Sequence, residues 1–263
     1  MKNWFVKIVA ALGFVFLYLP VIILILYSFN DSKLVSVWGG FSFRWYEELW
    51  KDHELLIALL QSVKIASISA SLGVIIGVFA GVSLSKYNFF SKSIYSLLVS
   101  IPLVIPEIII GLSLLILFQT LNKLFSITTT MGGSTIIIAH TTICISYVAL
   151  LVQLRINELN KTKNIEEAAL DLGATPLNVF LSITLPSIKS TIISGWFLAF
   201  ILSFDDLIVA TFTSGPGTTT LPMLIYSRVR LGLNPEINVM GTITILLGVI
   251  TSVILFFIKR RKI

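Results

Sequence analysis

Apolar runs of about the length that crosses a bilayer alternate along this chain with short polar segments. A hydrocarbon core about 30 Å thick takes about 20 helical residues. Six runs reach that length, at roughly 8–27, 65–84, 94–121, 134–154, 190–212 and 238–258. Backbone groups in lipid must bond within their own segment, and the runs lack the alternation of a barrel strand, so the pattern predicts helices. The expected fold is an all-α membrane protein of six transmembrane helices.

One polar-flanked segment interrupts this pattern without being a simple loop. Residues 164–186, NIEEAALDLGATPLNVFLSITLP, predict a short helix, a glycine break and a second short helix. Asn164 is placed to cap the first helix, with Glu167 reaching back to the N–H of the cap. Gly173 is expected to end that helix in a left-handed conformation, Thr175-Pro176 to start the next, and Leu185-Pro186 to close it. A capped hairpin of this kind suits transmission of force to a partner better than catalysis.

Composition strengthens the membrane reading. Of 263 residues, 56% are hydrophobic and 12% charged, and the mean hydropathy of +0.96 leaves too little polar surface for a soluble domain. The net charge of +6 is dispersed among the spans. It therefore serves membrane orientation, and binding of nucleic acid is not expected. With the N-terminus inside, twelve of the nineteen Lys and Arg fall on the cytoplasmic side, including the tail Lys259, Arg260, Arg261 and Lys262. This bias places both termini and the 164–186 hairpin in the cytoplasm of a multi-pass protein of the cell (inner) membrane. Lys2 and Lys7 precede the first run as in a signal peptide, yet Tyr27-Ser28-Phe29-Asn30 holds no small-residue cleavage site, so that run is expected to remain as the first span. The external segment up to about residue 60 carries Trp38, Trp45, Tyr46 and Trp50, aromatics suited to the level of the lipid headgroups. The second span is rich in Ser, Ala and Gly, which allow close helix approach, and is expected at the centre of the bundle.

Candidate chemistry is concentrated in a few intramembrane residues. Pro102 and Pro106 should kink or unwind the third span, where Glu107 lies near mid-membrane. An ionisable residue there marks a pathway facing the bundle interior. His140, among Thr141, Thr142 and Ser146, reads more readily as an interhelical hydrogen-bond partner than as a proton relay. Asp205 and Asp206 fall near the external end of the fifth span, about 100° apart if the helix is continuous, where acids would concentrate a cation. Beyond them, residues 213–237 predict a connector with a turn at Gly215-Pro216-Gly217, a short helix over 221–231 and a turn at Asn234-Pro235. Cys144 is the single cysteine and sits in an apolar run, which excludes an internal disulfide and suits a packed thiol. No residue set suggests a metal, a cofactor or a catalytic group. The chain has no phosphate loop, no H-E-x-x-H and no nucleophile elbow. No internal repeat supports an ion-coupled inverted-repeat carrier, although six spans and membrane acids would also suit one.

Glu167-Ala168-Ala169, three residues, Gly173, nine residues, Ile183, one residue and Leu185-Pro186 together resemble the EAA motif of permease subunits of binding-protein-dependent ABC importers. The resemblance covers about residues 60–258. It implies a type I importer permease domain over 61–258, an N-terminal helix with an interfacial segment over 1–60, and a basic cytoplasmic tail over 259–263. In that family the hairpin couples to the ATPase, which implies a coupling role for Glu166, Glu167, Ala168, Ala169, Asp171, Gly173, Ala174 and Pro186. It implies further a homologous second permease, two ATPase subunits that hydrolyse ATP in place of this chain, and an extracytoplasmic substrate-binding protein. A narrower likeness runs through Ser28-Phe29-Asn30, Ser203-Phe204-Asp205-Asp206, Thr213-Ser214-Gly215-Pro216-Gly217 and 221–238, which are similar to spermidine/putrescine importer permeases of PotC type. It implies polyamine cargo, with Glu107, Asp205 and Asp206 suited to a polycation. Related importers of other small solutes share the coupling motif.

Overall fold

In the computed structural model, which describes residues 2–34, 37–125, 131–162, 165–232 and 235–260, the apolar runs are helices. Among these residues there is no strand, only an isolated bridge between Asn30 and Phe41. Five helical segments are long and apolar enough to span a membrane: Trp4–Tyr27, His53–Lys86, Glu107–Phe125, Gly133–Leu159 and Pro176–Phe204. Two shorter apolar helices, Lys92–Val104 and Glu236–Ile250, complete the set.

The chain divides into two compact units. The first comprises residues up to 57 together with 224–257. Here α1 (Lys2–Tyr27) leads into a loop and α2 (Arg44–Lys51), while α12 (Glu236–Arg260) returns to α1. A Cβ at Gly241 of α12 would lie 3.0 Å from Leu24 of α1, so glycine sets that approach. Ser28 and Asn30 are buried and organise the loop. The Asn30 side chain donates to the Val37 carbonyl at 2.7 Å and accepts from the Gly39 N–H at 2.7 Å. Ser28 bonds the Tyr46 hydroxyl at 2.8 Å, and Phe29 stacks among Phe41, Phe43 and Tyr46. Trp45 of α2 is buried whereas Trp38 and Trp50 are exposed. The aromatic segment is thus a folded loop and a short helix, with part of its aromatics outward.

An ion-pair cluster closes this unit. Asp52 caps the start of α3 (His53–Lys86) by accepting the Leu55 N–H at 3.1 Å, and also binds Arg228 of α11 (Leu221–Leu231). Arg228 reaches Glu54 at 3.1 Å and Glu236 at 3.4 Å. Its guanidinium holds the Asp52 carboxyl below the usual carboxylate range, although partial burial pushes the other way. A depressed carboxyl contributes stability that is present above about pH 4 and lost as pH falls through the folded value. Arg228→Ala should therefore cost about 1–3 kcal/mol at pH 7. It should also flatten the loss of stability below about pH 4, measured as thermal midpoints of the detergent-solubilised protein; coincident curves for the two proteins would contradict this.

The second unit is built on residues 58–223. Its core is a three-helix seam of α3, α6 (Gly133–Thr162) and α9 (Leu185–Phe204). Ala70, Val74, Val78 and Val82 of α3 meet Cys144, Val148, Val152 and Ile156 of α6, with Ile188 and Ala199 of α9. Lipid gives apolar side chains no reason to leave it for one another, so helices associate in membranes through close packing. Glycines make that packing possible: a Cβ at Gly77 would lie 2.8 Å from the Val148 Cβ, and one at Gly81 2.6 Å from the Ala149 carbonyl oxygen. The small residues of the second span thus put it in the middle of this unit, as expected. Cys144 is buried, with its Sγ 3.5 Å from the Ala199 carbonyl oxygen.

Two of the expected spans are broken. The third splits into α4 (Lys92–Val104) and α5 (Glu107–Phe125). Ile105 is extended, at φ −78° and ψ 135°, because a residue preceding proline is disfavoured in the helical region. The fifth departs further from expectation. Leu185-Pro186 does not close the second hairpin helix; α8 (Pro176–Val179) continues through a π turn at Phe180–Thr184 into α9. The Leu185 N–H bonds the Phe180 carbonyl five residues back, and this wider coil directly ahead of Pro186 accommodates a ring that would clash in a regular helix. The helix then stops at Phe204, and α10 (Ile208–Thr213) begins after three residues, so Asp205 and Asp206 lie in a break instead of about 100° apart on one continuous helix.

The connector keeps to its predicted plan. The Thr218 N–H bonds the Gly215 carbonyl across the turn at 3.1 Å, and Ser62 accepts the N–H of Leu221 at 2.7 Å where α11 starts. Gly215 lies so close to the Met131 carbonyl that no side chain would fit. Asn234, expected in the following turn, and Arg261 and Lys262 of the tail lie outside the described residues.

Candidate functional site

The hairpin begins with α7 (Ile165–Asp171). Asn164, its expected cap, lies outside the described residues. Its end is fully defined. Gly173 has φ +88°, the Gly173 N–H bonds the Leu170 carbonyl at 2.9 Å, and the Ala174 N–H bonds the Ala169 carbonyl at 3.0 Å. These two bonds form a Schellman motif, which requires a left-handed residue at the position Gly173 occupies. Thr175 then caps α8 by accepting the Asn178 N–H at 3.3 Å, with Pro176 in the first turn.

The acidic residues of the hairpin point in different directions. Glu166 turns inward: one carboxylate oxygen accepts from Lys86 of α3 and the other from the Thr184 hydroxyl at 2.7 Å. Glu167, Ala168, Asp171, Gly173 and Pro186 are exposed, and Ala169 and Ala174 half-buried. Leu170, Leu172 and Leu177 are also exposed, Leu172 to 90% of its surface. These leucines form an exposed apolar patch on a capped turn.

The second cluster surrounds the break after α9. His140 of α6 is buried, with Nδ1 2.7 Å from the Ser203 hydroxyl and Nε2 2.9 Å from a carboxylate oxygen of Asp206. That carboxylate also accepts the N–H groups of Val209 at 3.3 Å and Ala210 at 2.7 Å, so it caps α10. Asp206 is thus satisfied by three donors. His140 is the interhelical hydrogen-bond partner its surroundings suggested, and its carboxylate and hydroxyl partners were not apparent from the sequence.

A cavity of about 20 Å³ adjoins this network, lined by Glu107, His140, Tyr147, Ser203 and Asp206 among others. It is about the size of one water molecule. Glu107 opens α5 and lies within electrostatic range of Asp206 and Asp205. Glu107 and Asp205 are exposed on this chain. Glu107, predicted from the third span, is therefore a neighbour of Asp205 and Asp206, predicted from the fifth; Asp206 holds the backbone while the other two are exposed.

Solved structures share this fold. The chain matches, over 99% of its length and 95% of the other chain, the crystal structure of a bacterial ABC transporter involved in the import of the acidic polysaccharide alginate, with a TM-score of 0.75 and 16% identity. The chain thus shares the fold of a chain of that transporter. The chain belongs to the family of binding-protein-dependent transport system inner membrane components, whose sequence model matches residues 73–263. It is similar to the putrescine transport system permease protein PotI of Escherichia coli (strain K12), at 48% identity over 97% of this chain and 91% of that protein. It is also similar to the spermidine/putrescine transport system permease protein PotC of Haemophilus influenzae, at 35% identity over 100% of this chain and 97% of that protein. It is a transport component that crosses the inner membrane several times.

Proposed function

We propose that this chain is the permease subunit of an ATP-driven importer of polyamines. The similarity to the putrescine permease named above, 48% over nearly the whole length, carries the reading of cargo. In this proposal the chain and a homologous permease form the translocation path between them. An extracytoplasmic binding protein delivers putrescine or spermidine, and two ATPase subunits drive the cycle from the cytoplasm. Both termini and the hairpin lie on the cytoplasmic side, in line with the excess of Lys and Arg there.

Each site has a distinct task. The hairpin, with its exposed Leu170, Leu172 and Leu177 and the outward Glu167 and Asp171, docks on the ATPase. ATP binding shifts the bundle between two states through that contact, and the chain itself catalyses no reaction. Glu107 and Asp205 face the path and attract the polycation, while Asp206 holds the shape of the helix break. Glu107→Gln and Asp205→Asn should each lower uptake of labelled putrescine about ten-fold, the scale on which local charge concentrates a counter-ion. Amounts of assembled transporter should be unchanged; unaltered transport kinetics in both variants would remove these acids from the path.

The cargo assignment is tested in cells stripped of their own polyamine importers. Expression of this chain with its partner permease, ATPase and binding protein should restore uptake of labelled putrescine, and omission of this chain should abolish it. Restored uptake of a different small solute, with none of putrescine or spermidine, would overturn the assignment.

A further inference from the structure

A closed ring of three polar side chains joins the hairpin to the bundle. Lys86 ends α3, Glu166 sits in the first turn of α7, and Thr184 is the last residue of the π turn. The Lys86 ammonium donates to Glu166 and, at 2.7 Å, to Thr184, whose hydroxyl donates to Glu166 at 2.7 Å. Thr184 is buried to 1% exposure, and the Lys86 side chain is 16% exposed. Each helix end also favours the charge it carries, because a cation suits the C-terminus of α3 and an anion the N-terminus of α7. Charge-assisted bonds in such partial shelter are the strong class of hydrogen bond.

The location gives the ring its consequence. The hairpin is joined covalently to α9 only through the π turn, a wide coil whose hydrogen-bond pattern departs from that of the helices on either side. Left unbraced, that turn could deform when the hairpin is pushed and absorb the displacement. The ring pins both sides of the turn: Glu166 before it and Thr184 at its end are held to α3 through Lys86. A stack of Phe180 on Phe79, with ring centroids 6.1 Å apart, adds an apolar contact between the same two elements. A groove of about 440 Å³ lined by Ser85, Lys86, Glu166, Glu167, Pro176 and Phe180 runs beside the ring, so the bracing lies directly next to the outward surface of the hairpin.

We infer that Lys86, Glu166 and Thr184 form a brace that makes the π turn rigid, so that displacement of the hairpin moves α3 and α9 together instead of being lost in the turn. Lys86 and Thr184 are then positioning residues for transport, although neither touches cargo or nucleotide. This rests on the coupling role proposed above for the hairpin and adds how its motion enters the bundle.

The test uses the complete transporter in proteoliposomes, with binding protein and labelled putrescine, and reads putrescine moved per ATP hydrolysed. Lys86→Met and the isosteric Thr184→Val should assemble with the ATPase in normal amounts yet move about ten-fold less putrescine per ATP, the factor that goes with one charge-assisted hydrogen bond. Lys86→Arg should retain coupling, and exchanging the charges as Lys86→Glu with Glu166→Lys should recover more than either change alone. Normal putrescine per ATP in Lys86→Met and Thr184→Val would overturn the brace. A loss explained wholly by less assembled complex would do the same, since it would make the ring a folding element. Gly173→Asp measured in parallel separates the levels: full transport by that variant overturns the hairpin reading itself, whereas its failure beside normal Lys86 and Thr184 variants overturns only the brace.

Discussion

Gly173→Asp is expected to abolish uptake while leaving the protein in the membrane at near-normal abundance. The left-handed backbone at Gly173, φ +88°, costs an L-residue about 1 kcal/mol, and Asp is among the residues that tolerate it best. No atom lies within 4 Å of the position a Cβ would take, so the fold loses little else. The outward surface changes far more. A carboxylate would stand beside the exposed Leu172, on the face proposed above to dock the ATPase, and desolvating an unpaired charge in an interface is costly. Immunoblots of washed membranes, uptake of labelled putrescine and co-purification of the ATPase check the three parts together. Wild-type uptake with the variant in place would overturn the coupling role proposed for the hairpin.

Asp206→Ala should give the largest loss of stability among the intramembrane acids. It strips the acceptor from the buried His140 Nε2 and from the N–H groups of Val209 and Ala210. Each buried donor left unpaired costs about 1–3 kcal/mol, so the sum reaches about 3 kcal/mol or more. Asp206→Asn keeps one acceptor oxygen and should fall between. Asp205→Asn, altering an exposed side chain, should leave thermal stability near wild type while lowering uptake. Thermal unfolding of the purified transporter distinguishes them, and equal midpoints for Asp205→Asn and Asp206→Ala would refute the division of labour between adjacent acids.

That division shows where reading the sequence stops. Span positions were legible because crossing a bilayer imposes a length and an apolar composition on each helix. The Gly173 break and the Thr175-Pro176 start were legible because capping is local chemistry, decided within four or five residues. The helix over 221–231 could be placed between its two flanking turns for the same reason. The opposite fates of Asp205 and Asp206 depend on a helix break whose capping carboxylate is oriented by His140, 66 residues away. Pro186 misled because proline usually ends a helix, whereas here the preceding turn widens to admit it. Lys86 and Thr184 gave no local sign of a role, since their contacts with Glu166 span 80 and 18 residues. A basic residue in the last turn of a helix was visible, but which acid it would meet is decided by tertiary packing.

In the proposed function, this chain transports only as part of an ATP-driven assembly. Proteoliposomes containing this chain, its homologous permease and the ATPase, supplied with binding protein, provide the direct measurement. Accumulation of labelled putrescine should require ATP and disappear when any component is omitted. Accumulation by this chain alone, driven by an ion gradient without nucleotide, would contradict the proposal.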